Sequence, residues 1–120
     1  MSIESEIFDE LRATFDRVLP AGKVELGTLM PCVTYQRIST RRLRSHDGTS
    51  AVQPLFQIDC WADSALSARV AGGDVIEIFE PQIGHYMIDD DRGPRWDPDA
   101  KLYRRTVDVR VHTGAESEVS

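Results

Sequence analysis

The 120-residue sequence lacks the features that mark membrane proteins and secreted proteins. No apolar run approaches the roughly 20 residues that span a bilayer. The N-terminal segment is acidic, with Glu4, Glu6, Asp9 and Glu10, whereas a secretory signal begins with basic residues followed by an apolar stretch. We therefore expect a protein that is cytosolic when it is made and that has no membrane partner.

Motifs for catalysis and cofactor binding are also missing. The pair Gly72-Gly73 falls in a predicted helix and lacks the Lys-Ser/Thr partner of a phosphate-binding loop. His46, His85 and His112 are well separated, with no carboxylate at the spacing of a metal site. The sequence therefore predicts that the protein is not an enzyme and has no catalytic residue, cofactor or metal.

Cysteine is scarce, since Cys32 and Cys60 are the only two. Each falls in a predicted strand, so a disulfide between adjacent strands is geometrically possible, but a cytosolic chain normally keeps its thiols reduced. A nucleophile at either position would lie inside the sheet, where substrate has poor access. We interpret both cysteines as small buried side chains.

An acidic run, Asp89 to Asp91, is the one candidate for binding a divalent cation. A calcium loop needs acids at alternating positions and a distant glutamate, and three consecutive acids point in different directions on a strand. We interpret residues 89–100 as a solvated, turn-rich connection. The alternative is a small metal-dependent nuclease or a nucleotide-binding protein that uses these aspartates.

Four arginines, Arg37, Arg41, Arg42 and Arg44, cluster in a chain whose net charge is −6. The acidic balance disfavours nucleic-acid binding by the whole surface. Arginine forks hold carboxylates or phosphates in fixed geometry. Three interpretations stay open: a solvated hairpin tip, an arm that reaches an acidic partner such as another copy of the chain, or a direct DNA contact.

Hydrophobic spacing predicts one α+β domain over residues 1–113 and a flexible C-terminal tail over 114–120. The expected order is helix 2–18, strand 32–39, arm 40–50, strand 52–62, a helix from Asp63 or Ser64 to Pro81, strand 85–89 and strand 101–113. The first helix is expected to bury Ile3, Ile7, Leu11, Phe15 and Val18, and the second helix Leu66, Val70, Ile76 and Phe79.

Four antiparallel strands with both helices on one face, in the order α-β-β-α-β-β, are the simplest arrangement of these elements. The strands at 32–39 and 52–62 are expected to form a long β-hairpin whose tip is the basic arm, closed by the turn signal Asp47-Gly48. Phe56, Ile58 and Cys60 should face the helices. Trp61 should lie on the opposite face, where a large aromatic ring needs cover.

Several short sequence motifs in this region resemble the tail-completion, or tail-terminator, family of long-tailed bacteriophages and related gene-transfer particles. They are the run from Pro31 through Val33-Thr34-Tyr35-Gln36-Arg37-Ile38, then Asp47-Gly48, then Phe56-Gln57-Ile58-Asp59-Cys60-Trp61-Ala62, followed by Ser64-Ala65. The amphipathic helix at residues 2–18 also fits. The resemblance covers about residues 2–80, and none of its motifs is catalytic.

The resemblance implies a structural virion protein that forms a hexameric ring in the neck of the tail, assembled in the host cytoplasm. The ring would cap the tail tube, end polymerisation of the tail tube protein and join the head connector or a head-completion protein, while DNA passes through the lumen without specific binding. The expected interface residues are Arg37, Arg41, Arg42, Arg44, His46 and Trp61. A head-side connector or adaptor protein is the structural alternative.

Overall fold

The computed structural model describes residues 2–20, 30–44 and 50–114. Its elements are α1 (Ile3–Arg12), β1 (Val18–Pro20), β2 (Cys32–Arg44), β3 (Ser50–Ala62), α2 (Ala65–Phe79), β4 (Tyr86–Asp97), β5 (Leu102–Val111) and β6 (Thr113–Gly114). Five strands form a mixed sheet in the order β1-β2-β3-β5-β4, and the short β6 pairs with β3. The predicted α+β class is confirmed.

The first departure from the predicted antiparallel sheet is β1, which pairs parallel with β2 and sets Val18 opposite Val33. The sequence placed Val18 at the end of the first helix, but α1 ends at Arg12. The Arg12 guanidinium donates to the main-chain oxygens of Phe15 and Asp16 in the turn that follows. Phe15 and Val18 are buried in the core as predicted, but they lie outside a helix. The spacing of apolar residues predicted which side chains are buried and did not determine their backbone conformation.

The second departure is the acidic connection, which is part of a strand rather than a turn. β4 continues to Asp97 and pairs antiparallel with β5 up to the Asp97 and Leu102 positions. Its register shifts twice, between Ile88 and Asp90 and again between Arg92 and Arg95. Bulges at a sheet edge accommodate glycine and proline, which is why Gly93-Pro94 does not end the strand.

A single apolar core lies between the helices and one face of the sheet, so both helices pack on the same face, as predicted. The largest fully buried side chains of this core are Ile7 and Leu11 from α1, Val33 from β2, Phe56 and Ile58 from β3, Val75 and Phe79 from α2, and Val107, Val109 and Val111 from β5. The period-two spacing of the β5 valines therefore predicted the correct face.

Helix α2 begins where predicted, since the Ser64 hydroxyl accepts a hydrogen bond from the Ser67 amide at 3.1 Å. Its buried face is the predicted one only in part. Phe79 is buried and Ile76 packs against the core, as predicted. Leu66 and Val70 are instead 61% and 54% exposed, and small residues such as Gly72 face the sheet. A Cβ on Gly72 would lie 2.2 Å from Cδ of Arg105. The Gly72-Gly73 pair thus permits a close approach by a neighbouring side chain.

Both cysteines are free and buried, as interpreted from the sequence. Cys32 is opposite Trp61 and Cys60 is opposite Val33 in the β2–β3 register, so the two thiols point to opposite faces of the sheet. Burial raises the pKa of Cys32 to about 11 and raises the pKa of Cys60 as well. Both are therefore protonated, unreactive packing groups near neutral pH.

The predicted long hairpin is confirmed. β2 and β3 pair antiparallel from Cys32 opposite Trp61 to Arg44 opposite Ser50, so the strands continue well past the predicted limit at residue 39. β6 pairs beside them, with Gly114 opposite Ala51. Gly114 is therefore in a strand, and the rest of the predicted tail lies outside the described residues.

Candidate assembly surface

In the sequence, the arm was residues 40–50. From here on, the arm means the outer half of the described hairpin, residues 36–44 of β2 with their partners in β3. β1 pairs with β2 only from Val33 to Tyr35, so within the described ranges no strand pairs with the outer edge of residues 36–44. The register shift between Arg37 and Ser39 marks a bulge at Ile38, beyond which the pairing with β3 is regular. An uncovered edge of this kind presents backbone donors and acceptors to another chain.

Two of the four predicted arginines are available at the surface of the arm. Arg41 and Arg42 are both exposed, as are the preceding Ser39 and Thr40. No ion pair joins either guanidinium to another side chain of residues 2–20, 30–44 and 50–114. Ile38, 44% exposed, adds an apolar contact surface at the base of the arm.

Arg37 instead binds within its own chain. Its Nε and Nη2 atoms donate to the two carboxylate oxygens of Glu4 at 3.1 and 3.0 Å, and its guanidinium carbon lies 5.6 Å from the centroid of the Phe56 ring. This two-pronged contact ties α1 to β2. The arginine cluster of the sequence therefore includes Arg37, which links two elements of the protomer, and Arg41 and Arg42, which form no ion pair within the described residues.

The remaining predicted interface residues have different positions. Arg44 is the last residue of β2, and His46 lies outside the described residues, as does the Asp47-Gly48 turn. Trp61 is on the sheet face away from the helices, as predicted, but it is only 5% exposed. Its indole N–H donates to Oγ1 of Thr34 at 3.0 Å, and the Arg104 guanidinium carbon lies 5.1 Å from its ring centroid. Trp61 is thus covered within the protomer.

The sheet face away from the helices carries a polar network that the sequence analysis missed. Thr106 donates to one oxygen of Asp59 at 2.5 Å, and Gln57 donates to the other at 3.0 Å. Asp59 and Thr106 are both buried, and Arg104 lies 4.0 Å from Asp59. The alternation of Thr106, Asp108 and Arg110 with the β5 valines was the available signal, because residues on the second face of a central strand meet their cross-strand neighbours.

Each aspartate of the acidic run is engaged by an arginine. Asp91 accepts from Nε and Nη2 of Arg105 at 2.9 and 2.7 Å, which outweighs its partial burial and lowers its pKa. Asp90 accepts from Arg92 at 2.6 Å, and Asp89 accepts from Arg110 at 3.4 Å. Asp89 and Asp91 thus link β4 to β5, and Asp90 pairs within β4. All three residues are exposed, but a cation would have to displace the arginines.

No group of three or more His, Cys, Asp or Glu side chains in the described part of the chain is close enough to hold a metal ion. Neither helix of the described ranges has the length and apolar character needed to cross a bilayer. The sequence matches no protein-family model, and no curated protein shows significant similarity to it.

Proposed function

We propose that this chain is a structural virion protein, a tail terminator of the kind found in long-tailed bacteriophages and related gene-transfer particles. The sequence motifs between residues 31 and 65 that resemble the tail-terminator family motivate the proposal. The main support is the arm: among the described residues, no strand covers its outer edge and no side chain forms an ion pair with the exposed Arg41 and Arg42. The molecule's longest dimension is 50 Å. An edge of this kind favours association with another chain.

Association between the arm of one copy and a different surface of the next is a head-to-tail contact. Such contacts close into a ring when the rotation between neighbours divides the circle. Six copies is the number that the resemblance implies. The partners in the assembled particle are then further copies of the chain, the tail tube protein and the head connector or a head-completion protein.

The proposed mechanism is steric and adhesive. One face of the ring covers the growing end of the tail tube and ends polymerisation, and the other face joins the head in the neck of the virion. DNA passes through the lumen without specific binding, which suits a chain of net charge −6 because like charges repel phosphate. Assembly takes place in the host cytoplasm.

The rival functions make different demands on the same residues. A metal-dependent nuclease would need Asp89 to Asp91 free to coordinate a cation, whereas all three accept hydrogen bonds from arginines. A head-side adaptor would use the arm equally well, but it would bind the connector and leave the tail tube unaffected.

The experiment that tests the proposal adds the purified protein to polymerising tail tube protein and measures tube length by electron microscopy. We expect rings at one end of each tube, shorter tubes at higher protein concentration, and a light-scattering mass several times the 13.5 kDa of one chain. Unchanged tube lengths together with binding to isolated connectors would support the head-side adaptor instead. Unchanged lengths with no ring on either structure would contradict both.

A further inference from the structure

A groove of about 450 Å³ lies between the turn that follows α1 and the first half of α2. Its apolar lining includes Phe15, Pro31, Leu66 and Val70. Leu66 and Val70 are the two apolar side chains of α2 that the protomer leaves largely exposed. Apolar surface concentrated beside a groove is characteristic of an interaction site.

The described residues that line the groove also carry a net negative charge. Asp16 and Asp74 line it, together with Arg17, so one negative charge is left over among the three. No ion pair joins the carboxylate of Asp16 or Asp74 to a side chain elsewhere in the described ranges. The site therefore suits a ligand with an apolar stem and a cationic head, which is the chemistry of an arginine side chain.

The exposed arginines of the arm match this chemistry but lie at the far end of the same strand. Pro31, in the groove, directly precedes β2, and Arg41 lies near the other end of that strand. At roughly 3.3 Å per residue the two are about 30 Å apart. Since hydrogen bonds to β3 hold the arm extended, the arm cannot fold back into its own groove.

We propose that the groove between α1 and α2 receives the arm of a second copy of this chain, with Arg41 and Arg42 of the arm pairing with Asp16 and Asp74 of the groove. The arginine stems and Ile38 cover Leu66 and Val70. Donor and acceptor sit at opposite ends of one protomer, so the contact is head-to-tail and repeats from copy to copy. This inference rests on the proposed self-association and assigns the two surfaces that make it.

Charge reversal tests the pairing with two variants of the full chain. The arm variant carries Arg41→Glu and Arg42→Glu, and the groove variant carries Asp16→Arg and Asp74→Arg. Each alone places like charges together and is expected to lose assembly, because both of its contacts become repulsive. Mixed in equal amounts, the acidic arm meets the basic groove and the basic arm meets the acidic groove, so rings that alternate the two variants are expected.

The control variant, Asp9→Arg with Glu77→Arg, makes the same change of charge at exposed positions of the two helices outside the groove. It should assemble alone and should not restore the arm variant. Light scattering gives the mass, and circular dichroism confirms the fold. As a second probe, Leu66→Ser should weaken assembly without loss of stability, since this side chain is 61% exposed in the protomer.

The results separate this inference from the proposed function. Suppose that the wild-type protein forms rings. If the groove variant also forms rings, or if the mixture of the two variants does not, the arm-in-groove contact is overturned and the proposed ring is retained. A wild-type protein that stays at 13.5 kDa even with tail tubes present overturns both.

Discussion

The two edges of the sheet are built in opposite ways. At the β4 edge, the strand is interrupted by two register shifts and by Pro94, and its aspartates pair with arginines. At the β2 edge, the outer half has one bulge, no proline and two exposed arginines that no carboxylate of the described ranges neutralises. Bulges and prolines protect an edge against pairing with another chain.

This difference between the two edges indicates which of them can associate with another chain. At the β4 edge, the three aspartates of the acidic run have partners within the protomer. The arm presents charges and an open backbone edge that no other described residue satisfies. Four predictions test this contrast, from the largest expected effect to the smallest.

Charge reversal on the arm should have the largest effect. We expect Arg41→Glu, Arg42→Glu and Arg44→Glu together to reduce the mass seen by light scattering from a ring to 13.5 kDa. The midpoint of thermal unfolding should hardly change, because Arg41 and Arg42 are exposed and substitutions at exposed positions typically alter stability by about 0.5 kcal/mol or less. Reversal of Arg69, Arg95 and Lys101 is the matched control, and rings should persist. Rings in the first variant would remove the arm from the proposal.

Loss of a buried carboxylate on the β4–β5 pair should destabilise the protomer itself. Asp108 accepts from Nη1 and Nη2 of Arg92 at 3.0 and 3.2 Å, and its side chain is only 8% exposed. Arg92 is 40% exposed, so solvent screens the pair, and we expect Asp108→Ala to cost about 2 kcal/mol rather than the full 3–5 of a buried pair. Urea unfolding measures the loss.

Asp90→Ala removes the other carboxylate that pairs with Arg92 and is the control for this prediction. Asp90 is 54% exposed, so its loss should cost about 0–1 kcal/mol. Equal losses from the two variants would show that burial does not decide the strength of these pairs.

Alanine substitutions at the two adjacent glycines of α2 should change the stability of the protein in opposite directions. A Cβ at Gly72 would collide with Arg105, which donates to Asp91 in β4 and to the main-chain oxygen of Arg69. We expect Gly72→Ala to cost about 1–2 kcal/mol, as overpacking does. At Gly73 the nearest Arg105 atom is 4.0 Å away, so Gly73→Ala should stabilise the helix by up to about 1 kcal/mol.

The Arg105→Ala background checks the cause of this difference. There Gly72→Ala should lose most of its cost, because the colliding side chain is gone. A penalty at Gly72 that persists without Arg105 would mean that another contact requires the glycine.

The smallest expected effect is a dependence on pH from Asp91. Its hydrogen bonds from Arg105 lower its pKa in the folded protein, so the ionised form stabilises the fold above the unfolded-state pKa of roughly 3.9. That stability is lost as pH falls through the lower folded pKa. Asp91→Asn should therefore be less stable than wild type at pH 6, and the gap should close toward pH 2 in urea unfolding. A gap that stays constant would show that charge is not the cause.

The sequence predicted those parts of the fold where local patterns and tertiary packing agree. The period-two valines of β5 and the Ser64 cap of α2 were located correctly, because each reflects a local rule that the tertiary structure did not override. The second half of the α2 stripe was also correct, since Phe79 is buried. The first half was wrong: Leu66 and Val70 are exposed, because small residues such as Gly72 face the sheet and allow the close contact with Arg105.

The candidate surface divides in the same way. The arginine cluster is visible in the sequence, and so is the hairpin that carries it. Whether Arg37 or Arg41 is engaged within the protomer depends on Glu4, which is distant in sequence and comes close only in the fold. The groove beside Asp16 and Asp74 had no sequence signal either, because two helix-associated segments far apart in the chain build it.

The amino-acid order alone determined the α+β class, the long basic hairpin and the buried cysteines, because side-chain periodicity and turn residues act over a few neighbouring positions. Only the tertiary structure decided which charges are satisfied and which edges are covered. Those outcomes depend on side chains dozens of residues apart, whose distance in space is set by the packing of the whole domain.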